Sequence, residues 1–73
     1  MPLTYKGDRV RLMGGSGRYQ LCVHAYGEWL AISNGRSIET AYKNGRSWIS
    51  GRRAVVIDRT TGEAVPHLPG GAA

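Results

Sequence analysis

Residues 34 to 49 read NGRSIETAYKNGRSWI, and four letters occur in them twice, as Asn34-Gly35-Arg36-Ser37 and as Asn44-Gly45-Arg46-Ser47. Whether the residues between the copies cross the molecule as a strand or as a helix decides how the rest of the chain is arranged. Asn-Gly is the strongest short signal for a two-residue hairpin, because both central positions of that turn take positive φ and these residues tolerate it best. Two such turns would bound a strand from Arg36 to Lys43, about 26 Å long at roughly 3.3 Å per residue, with one copy of the repeat at each end. A repeat so placed is a backbone device and builds no single site. A helix competes for the same residues, with Ser37 as its cap and Gly45 as a left-handed terminator. It would be short, it lacks an acid three residues after the cap, and Ile38 and Thr40 are β-branched, so the strand is favoured.

Outward from this stretch the pattern is also that of strands. Asp8 to Met13 alternates, with Val10 and Leu12 on one face and Arg9 and Arg11 on the other. From Arg18 to Tyr26, Tyr19, Leu21, Val23 and Ala25 share a face opposite Gln20, Cys22, His24 and Tyr26. Trp29 to Ser33 is apolar enough to be buried on both sides, and a short piece from Arg46 to Ile49 precedes Ser50-Gly51. Ala54 to Asp58 is the strongest strand signal in the chain, with Glu63-Ala64-Val65 able to fold back on it through the turn Arg59-Thr60-Thr61-Gly62. The expected fold class is therefore all-β, a small antiparallel barrel or meander of five to seven short strands. Residues 1–65 form its single domain, and residues 66–73, PHLPGGAA, are expected to be a flexible tail.

The chain has 73 residues, at the lower end of what one hydrophobic core can hold without staples, so oligomerisation or a partner is an expected source of added stability. A single cysteine, Cys22, forms no internal disulfide, and no stretch has the apolar length of a membrane span or a signal peptide. These features predict a cytoplasmic protein that does not meet a membrane.

Ten Lys and Arg stand against five Asp and Glu, for a net charge of +5, and eight of the ten bases are arginine. A planar fork of donors suits phosphate or carboxylate, so the expected partner is nucleic acid or an acidic protein surface. Gly-Arg recurs at Gly17-Arg18, Gly35-Arg36, Gly45-Arg46 and Gly51-Arg52. In a meander successive turns alternate between the two ends of the sheet. Counting them places Arg18, Arg36, Arg52 and Arg53 on one rim, and Lys43, Arg46 and Arg59 at a secondary basic end, where a tight hairpin would set Lys43 against Arg46 at some cost. Tyr26 and Tyr42 are the aromatic residues expected to stand exposed, as platforms for bases or anchors for a partner, whereas Trp29 and Trp48 are assigned to the core.

Catalytic readings are weaker. Cys22 and His24 share a strand face, but nothing completes a zinc site or a nucleophile with its base and orienter; the remaining histidine, His67, lies in the tail. The acids are too few and too scattered for a carboxylate pair. Gly14 to Arg18 has the glycines of a phosphate loop without its Gly-Lys-Ser/Thr ending or a following helix, and reads as a hairpin loop. No catalytic residue, metal or cofactor is expected.

The opening Lys6-Gly7-Asp8-Arg9-Val10-Arg11-Leu12, with the glycine-rich turn and second strand after it, resembles the start of small bacterial SH3-like barrels, including modules of transcription and translation factors. The resemblance covers about the first third of the chain. It implies a compact barrel of five or six strands used for binding RNA, DNA or another protein rather than for catalysis. An OB-like barrel fits the strand count nearly as well. Beyond Ala31 no family motif maps, and no functional residue is carried over. The leading expectation is a non-enzymatic nucleic-acid-binding module acting through the arginine rim; the rival is a phage- or plasmid-borne inhibitor or adaptor docking on an acidic surface of a larger host complex.

Overall fold

Strand pairing follows the alternation in the sequence, and the computed structural model describes residues 3–14 and 17–65. The strands are β1 (Thr4–Tyr5), β2 (Asp8–Arg11), β3 (Tyr19–Ala25), β4 (Glu28–Gly35), β5 (Ala54–Asp58) and β6 (Glu63–Ala64). They form a sheet in the order β1-β2-β4-β3-β5-β6. It curls into a nearly closed small barrel of the expected class. One pair departs from a simple meander, because β2 runs parallel to β4, with Val10 opposite Trp29. The flexible-tail expectation for 66–73 falls outside the described residues, as do residues 15 and 16 of the glycine loop.

The barrel interior is built from alternate residues: Val10, Cys22, Trp29, Val55 and Ile57 are buried there, with Leu3, Tyr5, Leu12, Ala31 and Ala64 packed around them. Gln20 is fully buried on the same face of β3 as Cys22, and its amide takes both hydrogen bonds of Met13, accepting from the backbone N at 2.6 Å and donating to the carbonyl at 3.0 Å. A buried amide so satisfied fixes the end of the β2 segment against β3. The opposite face of β3 is buried too. Leu21 and Val56 are paired across β3 and β5 and are inaccessible, each worth about 1.5–3 kcal/mol on burial.

The cover over this outer face is a helix. Residues Ile38–Gly45 form α1, followed by a 3₁₀ turn at Arg46–Trp48, where the sequence favours a strand. Ser37 is the cap, accepting from Thr40 N at 3.1 Å, and Glu39 in the first turn and Lys43 in the last suit the helix dipole. Two glycines let the helix lie close. A Cβ on Gly35 would stand 2.6 Å from Ala41 N, and one on Gly45 would collide with the Ser33 hydroxyl and come within 2.9 Å of Leu21. The buried Ser33 hydroxyl donates to Ala41 O at 2.6 Å, and Asn44 donates to Asn34 O at 3.2 Å. The repeated Asn-Gly is thus neither of the expected hairpins; its two copies touch each other, and their glycines are the contact between helix and sheet.

The tight turns occur elsewhere. Lys6-Gly7 and Tyr26-Gly27 have positive φ at both residues, 51° and 85°, then 53° and 75°, as hairpins between β1 and β2 and between β3 and β4 require. Ser50-Gly51, ahead of β5, repeats the backbone shape at 53° and 74°. All three lie at one end of the barrel, since Tyr5 pairs with Asp8, Ala25 with Glu28, and Arg53 O accepts from His24 N.

Candidate functional site

The helix redistributes the arginines. Had residues 36–49 crossed the molecule as two strands, the chain would have returned to the end it left, and Arg52 and Arg53 would stand beside Arg36. A helix and a short turn make the crossing once, so the chain arrives at the opposite end. Arg18 and Arg36 flank the pair Tyr19–Gly35, and Arg59 joins them there, its N–H donating to Arg18 O at 2.7 Å. Arg52 and Arg53 enter β5 at the other end, among the three turns. The four-arginine rim expected from the sequence is therefore divided between two ends. Lys43 and Arg46 lie along the flank, three residues apart at the end of α1, where the helix dipole favours both, and the hairpin clash foreseen between them does not arise.

At the Arg18 end the first of these arginines is paired with an acid. The Arg18 guanidinium holds Asp58 through Nε at 3.1 and 3.2 Å and Nη2 at 2.9 Å, and lies over the Tyr19 ring. The hydrogen bonds from Arg18 draw the Asp58 carboxyl below its usual range, against the opposing effect of its desolvation, and Asp58 in turn raises Arg18. Thr60 N donates to the same carboxylate at 2.9 Å, so Asp58 also pins the turn leaving β5. Glu39 and Glu63 are at this end as well, the first in the opening turn of α1 and the second paired with Asp58 across β5 and β6.

The turn end differs. Its acids are Asp8 and Glu28, and both are occupied, Asp8 by His24 Nε2 at 2.8 Å and Glu28 by Arg11 Nε at 2.9 Å. Among the described residues no carboxylate pairs with Lys6, Arg52 or Arg53. These cations line a cleft of about 410 Å³ together with Tyr5, Tyr42 and Trp29. Trp29 is only 3% exposed, its Nε1 donating to Tyr5 O at 3.0 Å and its ring meeting Tyr5 edge-on at 5.2 Å. The Arg53 guanidinium sits 5.6 Å from the Trp29 ring centre, and Lys6 Nζ 5.5 Å from that of Tyr5. Ring faces orient these cations without neutralising them. Tyr42, expected to be an exposed platform, is half-buried and forms part of the cleft wall.

Arg52 also belongs to a second, more apolar groove of about 480 Å³, with Val23, Ala25, Ile32, Tyr26 and Trp48. Tyr26 is 92% exposed, because the turn lifts it off the inner face that its alternation shares with Gln20 and Cys22. Trp48 corrects the sequence reading, being 69% exposed instead of in the core. The 3₁₀ turn carries it off the sheet, a displacement no strand pattern anticipates. Ile32 is the extra residue of a bulge, since Leu21 pairs with Ser33 and Cys22 with Ala31, which turns its side chain toward this groove. Tyr26 also holds a left-handed backbone conformation that costs a bulky residue about 1–2 kcal/mol, where Asn or Gly would sit without strain.

Cys22 and His24 do not form a reactive pair. Burial pushes the Cys22 thiol up to about 12, so no appreciable thiolate exists at neutral pH, and His24 is turned to Asp8. Among the described residues no three of His, Cys, Asp and Glu gather where they could hold a metal ion, and no helix is long and apolar enough to cross a membrane. Lys6 and Trp48 are the site residues that sequence reasoning missed. The Lys6-Gly7 step between two short strands was a legible turn signal; the exposure of Trp48 had no counterpart in the letters. No protein-family model matches the chain, and neither do the curated proteins or solved structures with which it was compared.

Proposed function

We propose that this protein is a non-catalytic nucleic-acid-binding module whose contact surface is the turn end of the barrel. Lys6, Arg52 and Arg53 bind phosphates, and the aromatic walls beside them position the chain. The observation that carries this reading is the imbalance at that end: the acids are engaged by His24 and Arg11 while the three cations around the cleft face solvent. Oriented, unopposed cations beside rings are what a phosphate backbone with adjoining bases requires. The test is binding of a labelled oligonucleotide over a salt series. Affinity should fall steeply with salt, and Arg52→Ala with Arg53→Ala should flatten the logarithmic slope by about 1.4, at roughly 0.7 per single-strand phosphate contact. Absence of binding at about 20 mM salt, where a basic protein holds phosphates most strongly, rules the reading out.

The second groove favours another reading, that of a protein-interaction factor. Trp, Tyr and Arg are the residue types that dominate protein interfaces, and Trp48, Tyr26 and Arg52 stand together over an apolar floor of Val23, Ala25 and Ile32. A purified acidic partner that binds with Trp48 buried, and that remains bound after nuclease treatment, would support it over the first.

A further inference from the structure

The two grooves share Arg52, and that sharing narrows the class of nucleic acid. Resting on the reading of this end as a nucleic-acid interface, we propose that the ligand is single-stranded, with unpaired bases stacked on Tyr26 and Trp48 while Arg52 and Arg53 hold the phosphates on either side. In a duplex the faces of the bases are covered by their neighbours, and only edges and backbone are offered to a protein. Two rings that stand in solvent have no use for that surface. Unpaired bases present π-faces, and stacking on an aromatic ring accepts any of them.

Three features of the groove converge on this. Tyr26 and Trp48 are the most exposed large hydrophobic side chains of the described residues, and they border the same groove. The groove floor of Val23, Ala25 and Ile32 is apolar, which suits the edge of a stacked base and repels a phosphate. Tyr26 is kept at a φ of 53°, where asparagine would be relaxed, and its ring packs into no core that would explain the choice. Strain held by an exposed aromatic residue points to a use for the ring outside the fold.

The experiment compares one labelled oligonucleotide as a single strand and as a duplex, with binding followed by anisotropy and by intrinsic fluorescence. Of the two tryptophans Trp29 is buried and Trp48 exposed, so quenching on binding reports Trp48. The single strand is expected to bind at least about tenfold more tightly and to quench the emission, and Trp48→Phe should remove the quench. Trp48→Ala and Tyr26→Asn should each weaken single-strand binding by roughly tenfold, the loss of one stacked base, and bring it toward the duplex value. A thermal melt guards against misfolding, because Tyr26→Asn should hold or raise the melting temperature while it weakens binding. Equal affinity for strand and duplex with no quenching overturns the single-strand inference and leaves the interface standing; binding to neither overturns both.

Discussion

The two ends of the barrel carry the same residue type in the same local setting and come out with different chemistry. At one end an arginine leaving a glycine turn, Arg18, meets Asp58 and is held by it. At the other, Arg52 leaves Gly51 and meets rings and solvent. What separates them is the placing of acids, since Asp58, Glu39 and Glu63 gather at the Arg18 end, whereas Asp8 and Glu28 are engaged by His24 and Arg11. A net charge of +5 therefore says little about where a polyanion would settle. The excess becomes a surface only where the fold separates bases from acids.

This division depends on α1 crossing the sheet once, and the sharpest way to break it is to lift the helix. Gly45→Ala sets two effects against each other, because alanine favours the helix by about 1 kcal/mol over glycine while its Cβ collides with Ser33 and crowds Leu21. Overpacking of this kind costs about 1–3 kcal/mol. The clash should win, and urea denaturation should show a lower midpoint. An increase in stability would mean that the helix does not lie where it is described.

A second variant makes the quiet end resemble the open one. Asp58→Asn frees Arg18, and it should destabilise the fold at neutral pH while raising low-salt oligonucleotide affinity about twofold, the effect of one added exposed charge. The pH dependence has a definite sign. A carboxyl whose pKa is lowered on folding stabilises the protein above its unfolded value, about 3.9, and loses that contribution as pH falls through the folded value. The gap between the wild type and Asp58→Asn should thus be full at pH 6 and close below about pH 4. A gap that persists at pH 2 would show that Asp58 acts through packing rather than charge.

Two smaller effects concern residues that the interior and the surface treat in opposite ways. With its pKa near 12, Cys22 should resist alkylation at pH 8 in the folded protein, with about one molecule in ten thousand ionised, and react fully in urea. Fast labelling of the native state would place the thiol nearer the surface. Trp48→Ala should change stability by less than about 0.5 kcal/mol, as substitutions at exposed positions do, although it removes the larger part of an aromatic residue.

Much of the barrel was legible because its alternation is strong. Val10 and Leu21 fall on faces that their alternation separates from Arg9 and Cys22, and Ala54–Asp58 is the strand its letters signal; Tyr26 owes its exposure to the turn, since the count alone sets it beside Cys22. The helix was legible too, under a different period. Ile38, Ala41, Tyr42 and Gly45 recur at the three- and four-residue spacing of a buried helical stripe, and they are the positions of α1 that are buried or half-buried. Reading Gly45 as a turn residue hid the stripe, because its role is close approach and a glycine at a contact leaves no apolar letter behind. From that single substitution of a strand for a helix came the misplacing of Arg52 and Arg53. The exposure of Trp48 was not legible, since nothing in the letters separates an indole that packs from one that is offered.

The most direct test compares two charge reversals that change the net charge identically, from +5 to +3, at opposite ends of the barrel. Arg52→Glu and Arg36→Glu are both exposed substitutions, so their effects on folding should match within about 0.5 kcal/mol. Oligonucleotide affinity at about 50 mM salt should drop about tenfold or more for Arg52→Glu and no more than about threefold for Arg36→Glu, whose charge acts only through the general field. Equal losses would mean that the chain attracts nucleic acid by its overall charge alone, and a larger loss for Arg36→Glu would put the contact surface at the wrong end.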